Sequence, residues 1–294
     1  MKTVAITGAS GYLGRELAAR FEKSGWRVLR LVRRPTGAAD EISCDLAALD
    51  EAGTDALADA LSREKTDALV HCAYDFALVS PAEIERVNVK GSLAVLEAAR
   101  RANIPRFVFV SSLSAFAGCR SLYGRAKLAV EAACAGRPGT SVVRPGLIYS
   151  KRPAGIVGKM RELMSRFPVI PLIGSGRQPH RTTHVDDLGK LIEALASGEL
   201  SPPGGPIAAA CPEPTTFAGV LKVLSRSMGR SVLFVPVPWL LAWLGLKTLE
   251  LLGLRPGLRS DSVVSLVSTP AADDAAPAPA AYPFRALSVS DFAA

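Results

Sequence analysis

Short apolar runs alternate with amphipathic stretches from the first residues of the chain onward. Five runs have the length of β-strands, namely Thr3–Thr7, Arg27–Val32, Ala68–Cys72, Phe107–Val110 and Ser141–Arg144. Patterns of helical periodicity separate them, at Tyr12–Ser24, Leu49–Arg63, Pro81–Ala102 and Tyr123–Ala135. Strands that are apolar along their whole length belong to parallel sheets with both faces covered. The pattern therefore predicts an α/β fold, a Rossmann-type doubly wound parallel sheet.

The pattern of residue types along the chain changes after Arg144. Prolines and glycines interrupt every long element up to residue 182, whereas Val185–Ser197 is again an amphipathic helix. We expect residues 1–150 to form the Rossmann domain, with 183–198 packing back onto it. Residues 151–182 and 199–267 are expected to form a smaller, discontinuous substrate region. The end of the chain, residues 268–294, is rich in Ala and Pro and predicts a flexible tail.

The most apolar stretch is 232–254, which Pro236, Pro238, Lys247 and Glu250 interrupt. No uninterrupted run reaches the about 20 residues that a membrane-spanning helix needs. We expect a packed helix here, with contact with a membrane surface or with a lipid-like substrate as the alternatives.

Composition narrows the class of protein. Of the 294 residues, 49% are hydrophobic and 21% are charged, as in globular proteins. The sequence predicts neither a metal site nor a disulfide framework, because no Cys-x-x-Cys spacing occurs among Cys44, Cys72, Cys119, Cys134 and Cys211. Reduced thiols, together with an N-terminus that already reads as a strand, lead us to expect a cytoplasmic protein.

A glycine-rich loop, Gly8-x-x-Gly11-x-x-Gly14, lies between the first predicted strand and the first predicted helix. Glycine allows positive φ and a close approach of the backbone to a ligand, and the N-terminus of the following helix attracts phosphate. The position of the loop distinguishes it from an ordinary strand-to-helix turn. It predicts a dinucleotide-binding site.

Arg33, followed by Arg34, ends the second predicted strand, where an NAD-selective site usually carries an acidic residue. A guanidinium suits a 2'-phosphate, so we expect NADP, with NAD as the alternative if the arginine pair is only a solvated strand end. Asp45 is expected to accept a hydrogen bond from the adenine amino group or to lie in a surface turn. Further expected cofactor contacts are Tyr12, Leu13, Leu46, Cys72, Ala73, Lys127 and Pro145.

Tyr123 and Lys127 stand four residues apart in a predicted helix, so their side chains share one face. A tyrosine hydroxyl ordinarily has a pKa of about 10, but a neighbouring positive charge favours the phenolate. We expect these two residues to be the catalytic pair. Several hydroxyls follow the preceding strand in FVFVSSLS; Ser112 is our choice for the donor that polarises a carbonyl, with Ser111 and Ser114 as alternatives.

Six segments carry a resemblance to a known family. They are TGASGYLG, His71-Cys72-Ala73, Asn88-Val-Lys-Gly91, Ser111-Ser112 with Tyr123-x-x-x-Lys127, Val143-Arg144-Pro145-Gly146 and His184-Val185-Asp186-Asp187. With these, almost the whole chain resembles the extended or atypical short-chain dehydrogenase/reductases, the NAD-dependent epimerase/dehydratase family. The resemblance implies Tyr123 as general acid/base, Ser112 as its hydroxyl partner, Lys127 on the nicotinamide ribose and Asn88 in a proton relay. It also implies a homodimer through the helices that contain Asn88 and Tyr123.

Two departures from the family bear on the substrate. Dehydratases of nucleotide sugars carry an Asp-Glu pair directly after the active hydroxyl, where this chain has Leu113 and Ser114. Dehydration is therefore disfavoured. The stretch from Ser112 to Tyr123 is also short compared with that of sugar epimerases, which weakens the assignment of a sugar substrate.

The net charge of +8, from 35 Lys+Arg against 27 Asp+Glu, bears on the partners. Basic residues come in pairs and not in blocks, which argues against nucleic-acid binding. We expect a phosphorylated or nucleotide-linked small molecule as the partner, because its negative charge fits the positive net charge of the chain. Arg177 and Arg181 are expected to bind a substrate diphosphate, with solvated positions in a surface loop as the alternative.

We therefore expect an NAD(P)-dependent oxidoreductase or epimerase that acts on a carbinol or carbonyl carbon, a nucleotide sugar being one candidate substrate. The first alternative is an NADPH-dependent ketone or aldehyde reductase. A second is a non-catalytic, cofactor-binding regulator, against which the presence of both Tyr123 and Lys127 argues. A third is association with RNA or a membrane through the basic and apolar surface.

Overall fold

The computed structural model describes residues 1–202, 204–254, 258–268 and 275–292. Its strands are β1 (Thr3–Thr7), β2 (Arg27–Val32), β3 (Glu41–Ser43), β4 (Ala68–His71), β5 (Arg106–Val110), β6 (Thr140–Pro145), β7 (Leu147–Tyr149), β8 (Val169–Ile173), β9 (Pro179–His180), β10 (Thr182–His184), β11 (Ile207–Ala209), β12 (Thr215–Thr216), β13 (Leu233–Val237) and β14 (Ala276–Pro277). Its α-helices are α1 (Tyr12–Lys23), α2 (Glu51–Arg63), α3 (Pro81–Glu83), α4 (Gly91–Arg101), α5 (Leu122–Cys134), α6 (Gly155–Arg166), α7 (Val185–Ser197), α8 (Phe217–Ser227), α9 (Trp239–Leu251) and α10 (Ser260–Ser268). A π-helix spans Ile84–Lys90 and a 3-10 helix spans Val289–Phe292.

Eight strands form one sheet in the order β14-β11-β6-β5-β4-β1-β2-β3. Within it, β1 pairs in parallel with both β2 and β4, and β5 pairs in parallel with both β4 and β6. The chain runs outward from β1 to β3 and then continues on the other side of β1 with β4. Such a reversal creates a ligand-binding crevice at the carboxyl ends of the strands. The predicted Rossmann-type α/β fold is confirmed.

The five predicted strands are all present, each within one residue of its predicted ends. Every residue of β1 is buried. Helix α1 contacts β1 and β2, and it buries Gly14, Leu17, Ala18 and Phe21. This spacing of three and four residues is the apolar stripe that the sequence pattern indicated.

The predicted helix Pro81–Ala102 is interrupted. It consists of α3, the π-helix and α4 in succession. Asn88 lies in the π-helix, and its carbonyl accepts a hydrogen bond from Ser92 Oγ at 2.5 Å. A π-helical turn has i→i+5 hydrogen bonds and is common at functional sites, but hydrophobic periodicity over such a short stretch does not reveal it.

The chain divides into two units. Unit 1 consists of residues 1–112, 126–144 and 189–207, and unit 2 of residues 113–125, 145–188 and 208–294. The division differs from the predicted domains in one respect that concerns the site. Residues 113–125, which include Tyr123, belong to unit 2, whereas Lys127 belongs to unit 1.

Unit 2 has its own apolar core. Its fully buried members include Tyr149, Met164, Ile170, Phe217 and Leu224. Short paired strands frame this core: β7 with β10 and β8 with β13 in parallel, and β9 with β12 antiparallel. None of these short pairs has a strong alternating pattern, which is why the sequence did not predict them.

Residues 275–292 correct the prediction of a flexible tail over 268–294. Phe284 and Phe292 are buried, and the Phe292 ring centroid lies 5.8 Å from that of Tyr149. Arg285 forms an ion pair with Asp187 at 2.6 Å. The two rings and the ion pair hold this segment on unit 2. Residues 269–274 and 293–294 of the predicted tail lie outside the described residues.

The packed helix predicted within residues 232–254 is present but shorter than that stretch: it covers Trp239–Leu251, and its partly buried residues Ala242, Trp243 and Leu246 pack against the core of unit 2. The first part of the stretch is β13, which pairs with β8, and Pro238 then precedes α9. Not one residue of α9 is buried. Across the described ranges, each helix is too short or too polar to cross a lipid bilayer.

Candidate active site

The glycine loop joins β1 to α1 in unit 1. Gly8 has a φ of +66°, and a Cβ atom on it would lie 3.0 Å from Ala73 Cα. A Cβ atom on Gly14 would lie 2.2 Å from the Gly8 carbonyl oxygen, so any larger residue would force the loop apart. Gly11 precedes α1, and no side chain caps the first turn, which contains no acidic residue. Its N–H groups suit a diphosphate, and Tyr12 and Leu13 begin the helix there.

Thr7 ties the glycine loop to the end of β4. Its hydroxyl oxygen accepts hydrogen bonds from the backbone N–H groups of Cys72 and Ala73, both at 3.1 Å. It also lies 2.7 Å from His71 Nδ1. Since the oxygen already accepts twice, its own proton is donated to Nδ1, which leaves the ring proton on Nε2. The sequence analysis placed Cys72 and Ala73 at the cofactor but missed Thr7, which positions both.

His71 is an uncharged histidine inside unit 1. It is fully buried, and its ring stacks on Phe109 with centroids 5.7 Å apart. Burial, and secondarily the charge of Lys127, lowers the pKa of His71 to about 3. Its Nε2 has no hydrogen-bond partner among the described residues. The imidazole therefore stays neutral at physiological pH and serves to join β1 and β4.

Asp75 brings two of the predicted site residues together. Arg33 Nη1 lies 3.1 Å from Asp75 Oδ2. The buried side chain of Asn88 binds the backbone of Asp75. Asn88 Oδ1 accepts from Asp75 N at 2.7 Å, and Asn88 Nδ2 donates to Asp75 O at 3.1 Å. Asn88 thus fixes the loop after β4. Sequence reasoning missed Asp75, whose only signal is an acidic residue shortly after a buried strand.

Asp45 and Leu46 follow β3. Asp45 Oδ1 accepts a hydrogen bond from Ala47 N at 3.1 Å, so its side chain stabilises the local turn of the backbone. Leu46 is buried, and a Cβ atom on Gly91 would lie 2.4 Å from its carbonyl oxygen. Asp45 is half-buried, and its predicted contact with the adenine amino group stays a prediction. Arg34 is exposed after β2.

Lys127 is a buried cation on α5, with 4% of its surface exposed. Its ammonium donates a hydrogen bond to the Val110 carbonyl at 2.7 Å, at the carboxyl end of β5. It lies 4.7 Å from the centroid of the Phe109 ring and 5.4 Å from that of Tyr74. Burial lowers the pKa of Lys127 to about 8, against an opposite effect of Glu131. The side chain is still mostly charged at neutral pH.

One turn beyond Lys127, Glu131 forms a buried ion pair with Arg144 of β6. Arg144 Nη2 lies 2.7 Å from Glu131 Oε2, and Arg144 Nε lies 2.9 Å from Oε1. Ser111 Oγ donates to Glu131 Oε1. All three side chains are buried. They join β5, α5 and β6, and the Ser111 hydroxyl is part of this network.

Tyr123 lies in the first turn of α5, and Lys127 follows it by one turn on the same helix. Asp261 of α10 caps this helix: its carboxylate accepts from Leu122 N at 2.7 Å and from Tyr123 N at 3.0 Å. A carboxylate at a helix N-terminus satisfies free N–H groups and favours the helix dipole. Sequence reasoning missed Asp261 because 139 residues separate it from Leu122.

Leu113 and Ser114 occupy the positions of the Asp-Glu pair in dehydratases. Leu113 is buried with Ala208 and Ala210. Ser114 Oγ accepts from Ser265 Oγ at 2.9 Å. Neither side chain is an acid or a base for elimination of water.

Three remaining predicted contacts lie in unit 2. Pro145 ends β6, and its carbonyl accepts from Leu113 N at 2.9 Å. Arg177 is exposed in the loop before β9. Arg181 joins β9 to β10, and its carbonyl accepts from Leu147 N at 2.9 Å. Neither arginine is buried in a site built for a diphosphate.

A sequence model of the NAD dependent epimerase/dehydratase family matches residues 4–205. The chain belongs to this family. The family is NAD dependent by name, which agrees with the glycine loop described above.

Two similar curated proteins are reductases by name. Ceramide reductase from Caulobacter vibrioides is 36% identical over 202 residues, which are 65% of this chain and 60% of that protein. The 4-hydroxy-2-methyl-3-oxo-4-farnesyl-3,4-dihydroquinoline-1-oxide ketoreductase of Stigmatella aurantiaca is 36% identical over 126 residues, or 40% of this chain and 35% of that protein. The matched part of the chain thus spans less than two thirds of either relative.

Among solved structures, UDP-glucose 4-epimerase from Thermotoga maritima with UDP-glucose matches with a TM-score of 0.68. The match covers 90% of this chain and 97% of that chain at 19% identity. At this identity the match shows the shared fold.

Proposed function

We propose that the protein is an NADPH-dependent carbonyl reductase that acts on an apolar ketone or aldehyde. The observation that carries the proposal is the buried ammonium of Lys127, held at the end of β5 one helical turn after Tyr123. A buried cation is costly, and here it follows a residue that can donate a proton. In the same unit, the glycine loop offers the uncapped helix N-terminus that a dinucleotide requires.

The chemistry assigned to the chain is one proton transfer. The glycine loop of Gly8, Gly11 and Gly14 would hold NADPH, which would supply the hydride that the carbonyl carbon takes up. Tyr123 donates its phenolic proton to the carbonyl oxygen, so that C=O plus hydride and proton becomes CH–OH. Ser112 donates a hydrogen bond to the same oxygen and polarises it, while the positive charge of Lys127 favours the phenolate that Tyr123 leaves behind.

Three features support a reductase over an epimerase. The relatives at 36% identity are reductases by name, and both names denote substrates with long hydrocarbon parts, ceramide and a farnesyl group. The predicted diphosphate contacts, Arg177 and Arg181, are not buried. Leu113, next to the proposed Ser112, is apolar and packed among alanines.

The redox stoichiometry tests the reaction. Given a long-chain aliphatic ketone dispersed in detergent, the protein should consume one NADPH for each alcohol that it forms. The absorbance of the reduced nicotinamide measures this consumption. Interconversion of UDP-glucose and its epimer without net consumption of NADPH would instead show an epimerase, the first expectation from the sequence.

Preference for NADP rests on Arg33, whose side chain is 63% exposed beside Asp75 and is open to a 2'-phosphate. A charge-assisted contact predicts a preference for NADPH over NADH of about 10- to 150-fold at low salt. Arg33→Asp should reverse the order in titration calorimetry. Asp75→Asn is the matched control, because it frees the guanidinium and should keep or strengthen the preference. Equal affinities in the unmodified protein would refute the assignment.

A further inference from the structure

Unit 2 exposes an apolar surface that its core does not cover. It is formed by α9 and by the paired strands β8 and β13, and we call it the α9 surface. Its exposed side chains include Val169, Leu233, Trp239, Leu240, Leu241 and Leu244. Folded proteins expose single apolar residues freely, but contiguous exposed patches mark sites of interaction.

Helix α9 is nevertheless held in place. On its inner side, Ala242, Trp243 and Leu246 pack against the core of unit 2. Near its end, Glu250 accepts from Ser260 N at 2.8 Å and from Ser260 Oγ at 2.7 Å, which joins α9 to the start of α10. The outward leucines therefore belong to a fixed helix whose second apolar side is available for a partner.

Cations border the α9 surface. Arg166 is the last residue of α6, three residues before β8, and Arg230 lies three residues before β13. Because the two strands pair in parallel with Leu233 opposite Val169, both arginines lie where the pair begins. Both arginines are exposed, although Arg166 also forms an exposed ion pair with Glu162 at 2.7 Å. Lys247 lies within α9 and forms an ion pair at 3.9 Å with the single carboxylate of that helix, Glu250, which also accepts from Ser260. Three cations thus stand against the two carboxylates Glu162 and Glu250. The net charge of the surface is therefore positive.

We propose that the α9 surface binds the surface of an anionic phospholipid bilayer. The 13 residues of α9 are too few to span the hydrocarbon, which takes about 20, so the helix would lie in the plane of the interface. Leu240, Leu241 and Leu244 would enter the acyl chains, Trp239 would lie at headgroup level, and the bordering cations would meet lipid phosphates. This surface goes beyond the proposed function and does not depend on it, although both point to apolar ligands.

A second copy of the chain fits this surface less well than a bilayer does. In a symmetric dimer the same patch meets itself, so the cations at the border of one copy would come close to those of the other copy. Like charges at such an interface cost free energy, whereas an anionic headgroup layer neutralises them.

Flotation with vesicles tests the proposal without substrate or cofactor, so that its outcome is separate from that of the reductase assignment. We expect the full chain to float with vesicles of phosphatidylglycerol and phosphatidylcholine, and to float at least about tenfold less with phosphatidylcholine alone or in 0.5 M salt. The variant Leu241→Glu with Leu244→Glu should weaken partitioning about 100-fold, because two leucines no longer enter the acyl chains. Both leucines are exposed, so the fold should persist.

The matched control is Val79→Glu with Val289→Glu, which makes the same charge change at two exposed apolar residues outside the α9 surface. The control should float as the unmodified protein does. Failure of the unmodified protein to float, or equal flotation of the α9 variant, would overturn the proposal. Light scattering tests the alternative of a dimer. If the unmodified protein is a dimer that does not bind vesicles, and only the α9 variant is a monomer, the surface is instead an interface between two copies.

Discussion

Folded proteins usually bury apolar side chains and expose charged ones. Two regions of this protein do the reverse: the polar network around Lys127 in unit 1 and the α9 surface in unit 2. In unit 1, Lys127, Glu131 and Arg144 are buried charged side chains. In unit 2, a helix made almost entirely of apolar residues has no buried member. Burying charge and exposing leucine are both unfavourable for folding alone. We attribute the first to the proposed reductase site and the second to the proposed contact with a bilayer.

The two regions differ in how their unfavourable groups are compensated. The buried charges are satisfied internally: the ammonium of Lys127 by Val110 O, and the carboxylate of Glu131 by Arg144 and Ser111. The exposed leucines of α9 have no such compensation in the described part of the chain. The first region should therefore be sensitive to substitution within the isolated protein, and the second only when a partner is present.

The largest expected effect follows from breaking the buried ion pair. Glu131→Gln leaves the Arg144 guanidinium buried without its carboxylate, which should lower the free energy of unfolding by about 3 kcal/mol or more. Chemical denaturation at pH 7 measures this. Glu162→Gln, which removes the exposed partner of the exposed Arg166, is the control and should change stability much less. Equal losses in the two variants would mean that the buried pair has no special role.

A smaller effect concerns His71 and pH. Its pKa is about 3 in the folded protein and about 6.5 when unfolded, so only the unfolded chain takes up a proton between these values. Stability from this residue is complete above pH 6.5 and is lost as the pH falls towards 3. Between pH 7 and pH 5 the loss should be about 2 kcal/mol.

The measurement is the free energy of unfolding at both pH values for the protein and for His71→Gln. The difference between them isolates His71, because His180 and His184, whose pKa values burial also lowers, remain in both proteins. The same pH dependence in His71→Gln would show that His71 does not hold its neutral state in the fold.

The cap on α5 should have a smaller effect still, on catalysis. Asp261→Ala removes the acceptor for the N–H groups of Leu122 and Tyr123, and we expect kcat to fall about tenfold with little change in the KM for NADPH. Asp261→Asn should restore part of the rate. Asp50→Ala, which removes the cap of α2, costs similar stability and should leave kcat unchanged. A parallel loss of kcat in Asp50→Ala would reduce the role of Asp261 to stability alone.

The smallest effect is expected on the α9 surface. Leu241→Ser should change the free energy of unfolding by no more than about 0.5 kcal/mol in the absence of lipid, because the side chain is exposed. Leu224→Ala, in the core of unit 2, should cost about 2 kcal/mol or more. A large loss in Leu241→Ser would show that the outward leucines are already covered.

Those parts of the fold whose signal is local could be predicted from the sequence. β1, β4 and β5 each contain a continuous apolar run, the glycine loop joins β1 to α1, and Tyr123 and Lys127 share one helix. The Asp261 cap, the Thr7 bond to His71 and the Asn88 clamp on Asp75 could not be predicted, because each joins residues far apart in the chain. The placement of α9 was also out of reach, since a helix apolar on all sides gives no sign of which side is buried.

The central claim is that Tyr123 donates the proton in an NADPH-dependent reduction. The most direct test is the single-turnover rate of reduced-nicotinamide oxidation by Tyr123→Phe with a long-chain ketone, alongside its dissociation constant for NADPH. The account predicts a rate at least about 10²-fold lower with cofactor binding unchanged, because the variant keeps the ring and loses only the proton. A rate close to that of the unmodified protein would contradict it.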